Sequence, residues 1–549
     1  MRSFAAALAT VALLSSPGAG LRLRSDFTRD LQLSAELGLD PDLLLKNRHV
    51  LHTLLEQPST IPAEYVPIPI DHEDPHVGKY QNRFWVNDQY YTPGAPVFLY
   101  DAGESSAEPS LVHLTSETSF FNSMIQEFNA IGILWEHRYY GQSLPYPVTN
   151  TTPPEQMKYL TTRQALADIP YFARTFTRPD YPRTDLTPAS TPWVMVGGSY
   201  PGIRAALARK EYPETIFAAF AASAPVQAQI NMSIYFDQVY RGMVSGGLGN
   251  CVKDLHAALQ YIDDQLAHPD TAKTMKQLFF GVGAEQNSNE DFGAALAGIY
   301  GYFQSHGVDG GEGGLCSLCG YLEVDPRTNE SAGANGLAPA YGAQYVAERW
   351  ASWPTFVEVV NSNMETNCKG LDSTTARSCV LNNPPTDADT LSWTWQYCSE
   401  WGFYQSNNVG AHSLLSRYQT LELMQRQCNE IFPEASKQGI LPPQPKAAAL
   451  NQEFGGWTIR PSNVYFSAGE FDPWRTLSLL SNEDFAPQGV SLTTQIPPCG
   501  VQPGADKVFG FVGANSVHCF DFRTDSAVGE ESRGYFIQAL KEWLPCFGK

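Results

Sequence analysis

A chain of 549 residues with 43% hydrophobic and 17% charged side chains has globular composition, not that of a disordered or low-complexity protein, and it exceeds what one hydrophobic core usually serves. With 57 acidic against 36 basic side chains its net charge is −21, which repels phosphate backbones and anionic lipid heads and argues against nucleic acid or a membrane surface as partner. A sequence pI near 4.9 suits an acidic working medium without establishing one.

At the N-terminus, Arg2 precedes an apolar run from Phe4 to Leu14 and the helix-breaking stretch Ser15 to Gly20, which reads as a secretory signal peptide over residues 1–20. Residues 21–58 read as a propeptide or an N-terminal arm. No later stretch approaches the ~20 apolar residues of a membrane helix, and the C-terminus shows neither a retention signal nor a GPI tail. The expected destination is extracellular, with lysosome or vacuole as the alternative.

Apolar, β-branched or aromatic runs bounded by Gly or Pro predict strands at Pro96 to Tyr100, Ile131 to Trp135, Trp193 to Val196 and Phe217 to Ala222. A helix is predicted over Ile203 to Tyr212, so strand, tight glycine turn and helix follow one another. That order predicts an α/β fold with a doubly wound sheet, whose ligand sites lie at the carboxyl ends of the strands. Residues 59–230 form the first part of this domain.

From residue 231 to 446 the pattern turns helical (Lys253 to Leu266, Leu414 to Ile431) between Gly- and Cys-rich loops, and seven of the ten cysteines fall there. The expectation is a large, disulfide-rich cap insertion, with Pro442 to Pro445 marking the return to the sheet. Cys316 and Cys319 read as disulfide-bonded in a secreted chain, not as half of a zinc site. Three N-glycosylation sequons begin at Asn150, Asn231 and Asn329. Residues 447–549 complete the sheet with strands at Val464 to Ser467 and Val508 to Val512.

The chemistry lies at the strand ends. Gly197-Gly198-Ser199-Tyr200 closes a strand and opens a helix, as in a nucleophile elbow, where a sharp turn lifts the Ser199 hydroxyl above the sheet and the Tyr200 amide points at the substrate oxyanion. Pro201 stands where that motif usually has Gly, and it constrains Tyr200 toward extended angles. After the strand at Val464 comes Asp472, placed to hold an imidazole in one tautomer. After the strand at Val508 comes His518, placed as general base to Ser199. The acid and the histidine are 46 residues apart, whereas Ser199 and Asp472 are 273 apart, which a hydrolase core alone does not use and which requires an inserted domain. The loop Asp101 to Glu104 follows an early strand, where the second oxyanion amide arises; Glu104 or its neighbour is that donor, unless its carboxylate holds a substrate amino group or closes a turn. Glu136, His137 and Arg138 read as structural charges pairing with one another beneath the site.

Several stretches together resemble a known family: Glu136-His137-Arg138-Tyr139-Tyr140-Gly141-Gln142-Ser143-Leu144-Pro145, Tyr159-Leu160-Thr161 through Ala165-Leu166-Ala167-Asp168, the elbow, Phe471-Asp472-Pro473-Trp474, and His518 followed by Asp521. The chain looks like the proline-specific serine peptidases that include lysosomal Pro-X carboxypeptidase, dipeptidyl peptidase II and fungal acid prolyl endopeptidases. The segment Trp395 to Phe403 is most similar to the fungal secreted branch. The resemblance implies a triad of Ser199, Asp472 and His518, no cofactor, proline-containing peptides as substrates, and activity in acid. A proline ring needs a flat-walled apolar pocket, for which Trp474, Tyr200, Trp401 and Phe403 are the candidate walls. An esterase or lipase on the same fold, or a silent hydrolase-fold binding protein, is the alternative. Exo- versus endopeptidase action, and a monomer versus a homodimer, stay open at this level.

Overall fold

The computed structural model describes residues 25–46 and 61–549. The signal-peptide reading, and the N-terminal segment before residue 25 and after residue 46, lie outside the described residues.

In chain order the strands are β1 (Glu64–Pro69), β2 (Lys79–Asn87), β3 (Val97–Asp101), β4 (Ile131–Trp135), β5 (Trp193–Gly198), β6 (Ala218–Ala222), β7 (Gln229–Asn231), β8 (Gly402–Tyr404), β9 (Val464–Gly469), β10 (Ser491–Thr493) and β11 (Lys507–Gly513). Nine of them form one sheet in the order β1-β2-β4-β3-β5-β6-β9-β11-β10, while β7 and β8 make a separate ribbon. β2 runs antiparallel to β1 and β4, and every other pairing in the large sheet is parallel. This is the α/β-hydrolase sheet. All six predicted strands are present, and β1, β2 and β10 are additional. β2 escaped the apolar-run criterion because it buries Asn82 and Arg83.

The central strands read as continuous apolar runs because helices cover both faces. Period-two alternation divides their side chains: Leu99, Ile133 and Met195 join a cluster with Ile203 and Leu166, whereas Phe98, Leu134 and Val196 pack with Phe121, Ile125, Phe536 and Trp543. The first face also extends into the helical region, whose Phe236, Leu255, Phe279 and Trp350 belong to the same buried cluster. The boundary between sheet and helices is therefore an apolar, packed interface on the side that carries the elbow.

The long excursion between β6 and β9 holds helices such as Gly249–Leu266 and Leu421–Ile431. The second starts later than its apolar pattern predicts because the Thr420 hydroxyl accepts the Leu423 amide and caps it there. Disulfides Cys251–Cys319, Cys368–Cys379 and Cys398–Cys428 staple this region, and Cys499–Cys546 ties the C-terminus. Cys316 is free, as is the buried Cys519, which corrects the expectation for the Cys316 and Cys319 pair: Cys319 bonds Cys251 instead. Asn150, Asn231 and Asn329 are all exposed. No helix among the described residues is long and apolar enough to cross a membrane.

Candidate active site

Ser199 stands between β5 and the helix Tyr200–Glu211 with φ 64° and ψ −129°, a backbone conformation that costs a non-glycine residue free energy and recurs at functional turns. Two features hold it. The Ser199 amide donates to the Ala222 carbonyl of β6 at 2.9 Å, and a Cβ on Gly197 would fall 2.4 Å from the Pro201 backbone, so only glycine lets the chain double back this tightly. Tyr200 is already helical and Pro201 lies in the first turn, where a proline costs no hydrogen bond. The extended angles expected for Tyr200 are thus corrected: helix nucleation on the strained Ser199 overrides the bias that a following proline imposes. The first amide of a helix has no intrahelical acceptor, which leaves the Tyr200 N–H available to a substrate oxygen.

Asp472 and His518 meet across the ends of β9 and β11. The His518 Nδ1 lies 2.9 and 3.0 Å from the two Asp472 carboxylate oxygens, and both side chains are fully buried. Asp472 also accepts the Trp474 amide at 2.9 Å, a second contact that orients the carboxylate toward the imidazole. The imidazole Nε2 is buried and has no hydrogen-bond partner among the described residues. Ser199 and His518 line one cavity of about 230 Å³, but their hydrogen bond is not closed, a contact that hydrolytic sites often tighten only around substrate.

The helical region reaches into this arrangement through Gln304, which no sequence signal had marked. Its carbonyl accepts the His518 amide at 3.1 Å, and its side-chain oxygen accepts the Trp474 indole N–H at 2.8 Å and the Tyr235 hydroxyl at 3.2 Å. One cap residue therefore positions both the general-base candidate and an aromatic wall. It was invisible because a lone Gln in a four-residue helix, Phe303–His306, carries no periodicity or motif.

The loop after β3 also lines the cavity, with Ala102, Glu104 and Ser105. Asp101 anchors it: one carboxylate oxygen accepts the Gly103 amide at 3.1 Å and the other pairs with Arg204 of the elbow helix at 2.6 Å. Gly103, at φ +70°, would place a Cβ 2.3 Å from the Pro201 ring. Pro201 is thus a packing surface for this loop, and Asp101 and Arg204 lock loop and elbow into one unit. Burial pushes the Glu104 carboxyl up to about 7, against the opposing attraction of His518.

Beneath the site, Glu136, His137 and Arg138 are all fully buried but do not pair with one another as expected. Glu136 pairs with Arg83 of β2 at 2.6 Å, and Arg138 with Asp168 at 2.5 Å. His137 lies 2.7 Å from the Arg138 carbonyl and 3.1 Å from the Tyr200 hydroxyl, to which Gln396 donates at 2.7 Å. Burial, reinforced by Arg204, holds His137 well below its ordinary pKa. Glu136 and Arg138 each find their partner on a different element, Arg83 on β2 and Asp168 on the helix Thr162–Ala173.

Among the proposed wall residues, Tyr200, Phe403 and Trp474 line the cavity, joined by Trp393 and Tyr397. Phe403 and Trp474 meet edge to face at 5.2 Å, and Tyr200 and Trp393 lie 5.4 Å apart. Trp401 does not reach the cavity; it stacks behind Phe403 at 5.5 Å.

A strained serine on an elbow, a buried His–Asp pair from later strand ends and the loop after β3 thus line one cavity of the α/β-hydrolase fold. The chain belongs to the serine carboxypeptidase S28 family, whose family model matches residues 69–494, a span that contains Ser199 and Asp472 and stops short of His518. It is 28% identical over 445 residues to a probable extracellular serine carboxypeptidase of Arthroderma benhamiae, covering 76% of this chain and 59% of that relative's length. It is 27% identical to the serine protease vicPb of Bipolaris victoriae (80% of this chain, 82% of the relative) and 28% identical to the human thymus-specific serine protease (72% and 73%). Among solved structures, an esterase from Pyrobaculum calidifontis aligns at TM-score 0.22 and 15% identity over 39% of this chain and 62% of that one. The fold assignment rests on the strand order and register.

Proposed function

We propose that this protein is a secreted serine peptidase that cleaves after proline, from the carboxyl end of peptides, in an acidic medium. Ser199 attacks the carbonyl, His518 takes its proton and passes it to the leaving amine, and Asp472 holds the imidazole with its proton on Nδ1. The Tyr200 amide and an amide of the Asp101–Glu104 loop carry the oxyanion through both tetrahedral intermediates.

The observation that carries the substrate class is the aromatic lining formed by Tyr200, Trp393, Phe403 and Trp474 in the cavity that Ser199 enters. A pyrrolidine ring is rigid, compact and apolar, and flat aromatic faces recover the most buried area from it at the lowest cost in side-chain entropy. The carboxypeptidase mode is supported by the family description and by the Arthroderma relative's name. The test is mass spectrometry of products from proline peptides with free and blocked termini, alongside short acyl esters. Cleavage after proline at the free carboxyl end is expected; ester turnover without peptide cleavage would overturn the reading, and a kcat/KM profile that collapses below pH ~6, near the ordinary histidine pKa, would overturn the acid assignment.

A further inference from the structure

The cavity has a wall that the catalytic domain does not provide. Thr28, Arg29, Gln32, Leu33 and Glu36 of the N-terminal helix Ser25–Glu36 line the same space as Ser199 and His518. The helix is wedged in and not laid on the surface. Phe27, Leu31 and Leu33 are buried with Tyr302 and Val359 of the helical region, while Glu36 pairs with His113, beside β3, at 3.1 Å with both side chains buried. Gln32 accepts from the Ser305 hydroxyl at 3.2 Å. The helix thus bridges sheet and cap along the wall of the cavity that Ser199 also lines, and removing it would strand a buried histidine and expose an apolar cluster.

Among the described residues that line the cavity Arg29 is the only lysine or arginine, beside the acidic Glu36, Asp101 and Glu104. Its side chain is 13% exposed and pairs with Asp30 at 2.7 Å. A carboxypeptidase has to distinguish a terminal carboxylate from a continuing chain. That requires an end wall and a fixed cation, and a planar guanidinium suits a carboxylate best.

We infer that the N-terminal helix is a permanent part of the substrate cleft, closing one end of it, and that Arg29 receives the α-carboxylate of the substrate. The inference rests on the peptidase reading above. It makes the helix a specificity element, retained in the active enzyme, instead of a segment discarded on activation.

The experiment compares matched proline peptides ending in a free acid or an amide, using the full chain and its Arg29→Ala and Arg29→Lys variants. The unaltered protein should prefer the acid by about 10- to 100-fold in kcat/KM, the usual worth of a charge-assisted hydrogen bond. Arg29→Ala should erase that preference through KM with kcat nearly unchanged, and Arg29→Lys should restore part of it. Equal acid-to-amide ratios in all three proteins would overturn the inference while leaving the peptidase reading intact, whereas no peptide cleavage by any of them would overturn that reading instead. A chain lacking residues 1–46 should gain internal cleavage of long peptides. If that truncation instead accelerates every substrate equally, the helix is an inhibitory plug and the inference fails. Should the truncated chain not fold, Gln32→Ala on the intact helix, with an unchanged melting temperature, tests the wall by the same internal-cleavage readout.

Discussion

The sheet and the helical region build the same cavity by different rules. The sheet fixes position through backbone: Ser199, Asp472 and His518 each follow a parallel strand whose register is set by its neighbours, so a side chain at the strand end is placed by hydrogen bonds many residues away. The helical region fixes position through side chains: Gln304, Trp393 and Phe403 reach the site from short helices and a three-residue strand held by packing and disulfides. A backbone-built site constrains residue type only at the reacting atoms and at glycines. A side-chain-built site spreads its constraint over many replaceable contacts. Substitutions in the first should be all-or-none, and in the second graded.

The largest effect should come from Ser199→Ala, with activity falling by roughly 10⁴-fold or more, fluorophosphonate labelling abolished and the melting temperature unchanged. Asp472→Asn should cost about 10⁴-fold in kcat, because an amide at that position favours the wrong imidazole tautomer. A residual activity above a tenth in either variant would mean the strand-end residues are not the machinery. On the cap side, Gln304→Leu should keep the His518 backbone contact but release the Trp474 indole and the Tyr235 hydroxyl. The expected loss is about 10-fold, seen mainly in KM for proline substrates, and Gln304→Glu should recover part of it. A loss as large as that of Ser199→Ala would erase the distinction between the two regions.

The same distinction explains what the sequence disclosed. The six central strands, the elbow and the order Ser199, Asp472, His518 were legible because continuous apolar runs, glycine turns and strand-end chemistry are local patterns. β2 was not, because its buried Asn82 and Arg83 are satisfied by Glu136, 54 and 53 residues further on. Gln304, the Asp101–Arg204 tie and the N-terminal wall depend on juxtapositions across more than a hundred residues, which no window along the chain contains. The disulfide partner of Cys319 was unreadable for the same reason: Cys251 is 68 residues away, while Cys316 is three.

The smallest effect concerns pH and bears on both regions at once. Burial pushes Glu104 and Asp521 of the sheet body up to about 7 and about 6, and Glu400 of the cap up to about 7; Glu323 is raised by burial and by Asp254. A carboxyl whose pKa is higher in the folded state binds its proton more tightly there, so its contribution is full below the unfolded pKa near 4 and is lost as pH rises through the folded value. Two buried histidines oppose this: His137 is held well below its ordinary range by burial and Arg204, and His306 is lowered to about 4 by burial and Arg523. Their contribution is present above about pH 6.5 and is lost as pH falls toward the folded values. Burial also raises Asp101, Asp263 and Asp389, so seven carboxyls oppose the two histidines, while carboxyls held low, such as Asp168 and Asp325, titrate below this window. The folded protein therefore binds more protons than the unfolded chain between about pH 4.5 and 7, and stability falls as pH rises across that window. The melting temperature should therefore be higher near pH 5 than near pH 7.5, by a few degrees for a chain of this size. Glu400→Gln, which keeps the shape and removes the charge, should make the slope shallower, because one of the raised carboxyls no longer titrates. A melting temperature that rises steadily from pH 5 to 7.5 would show that the histidines dominate, and would remove the physical support for an acidic working medium.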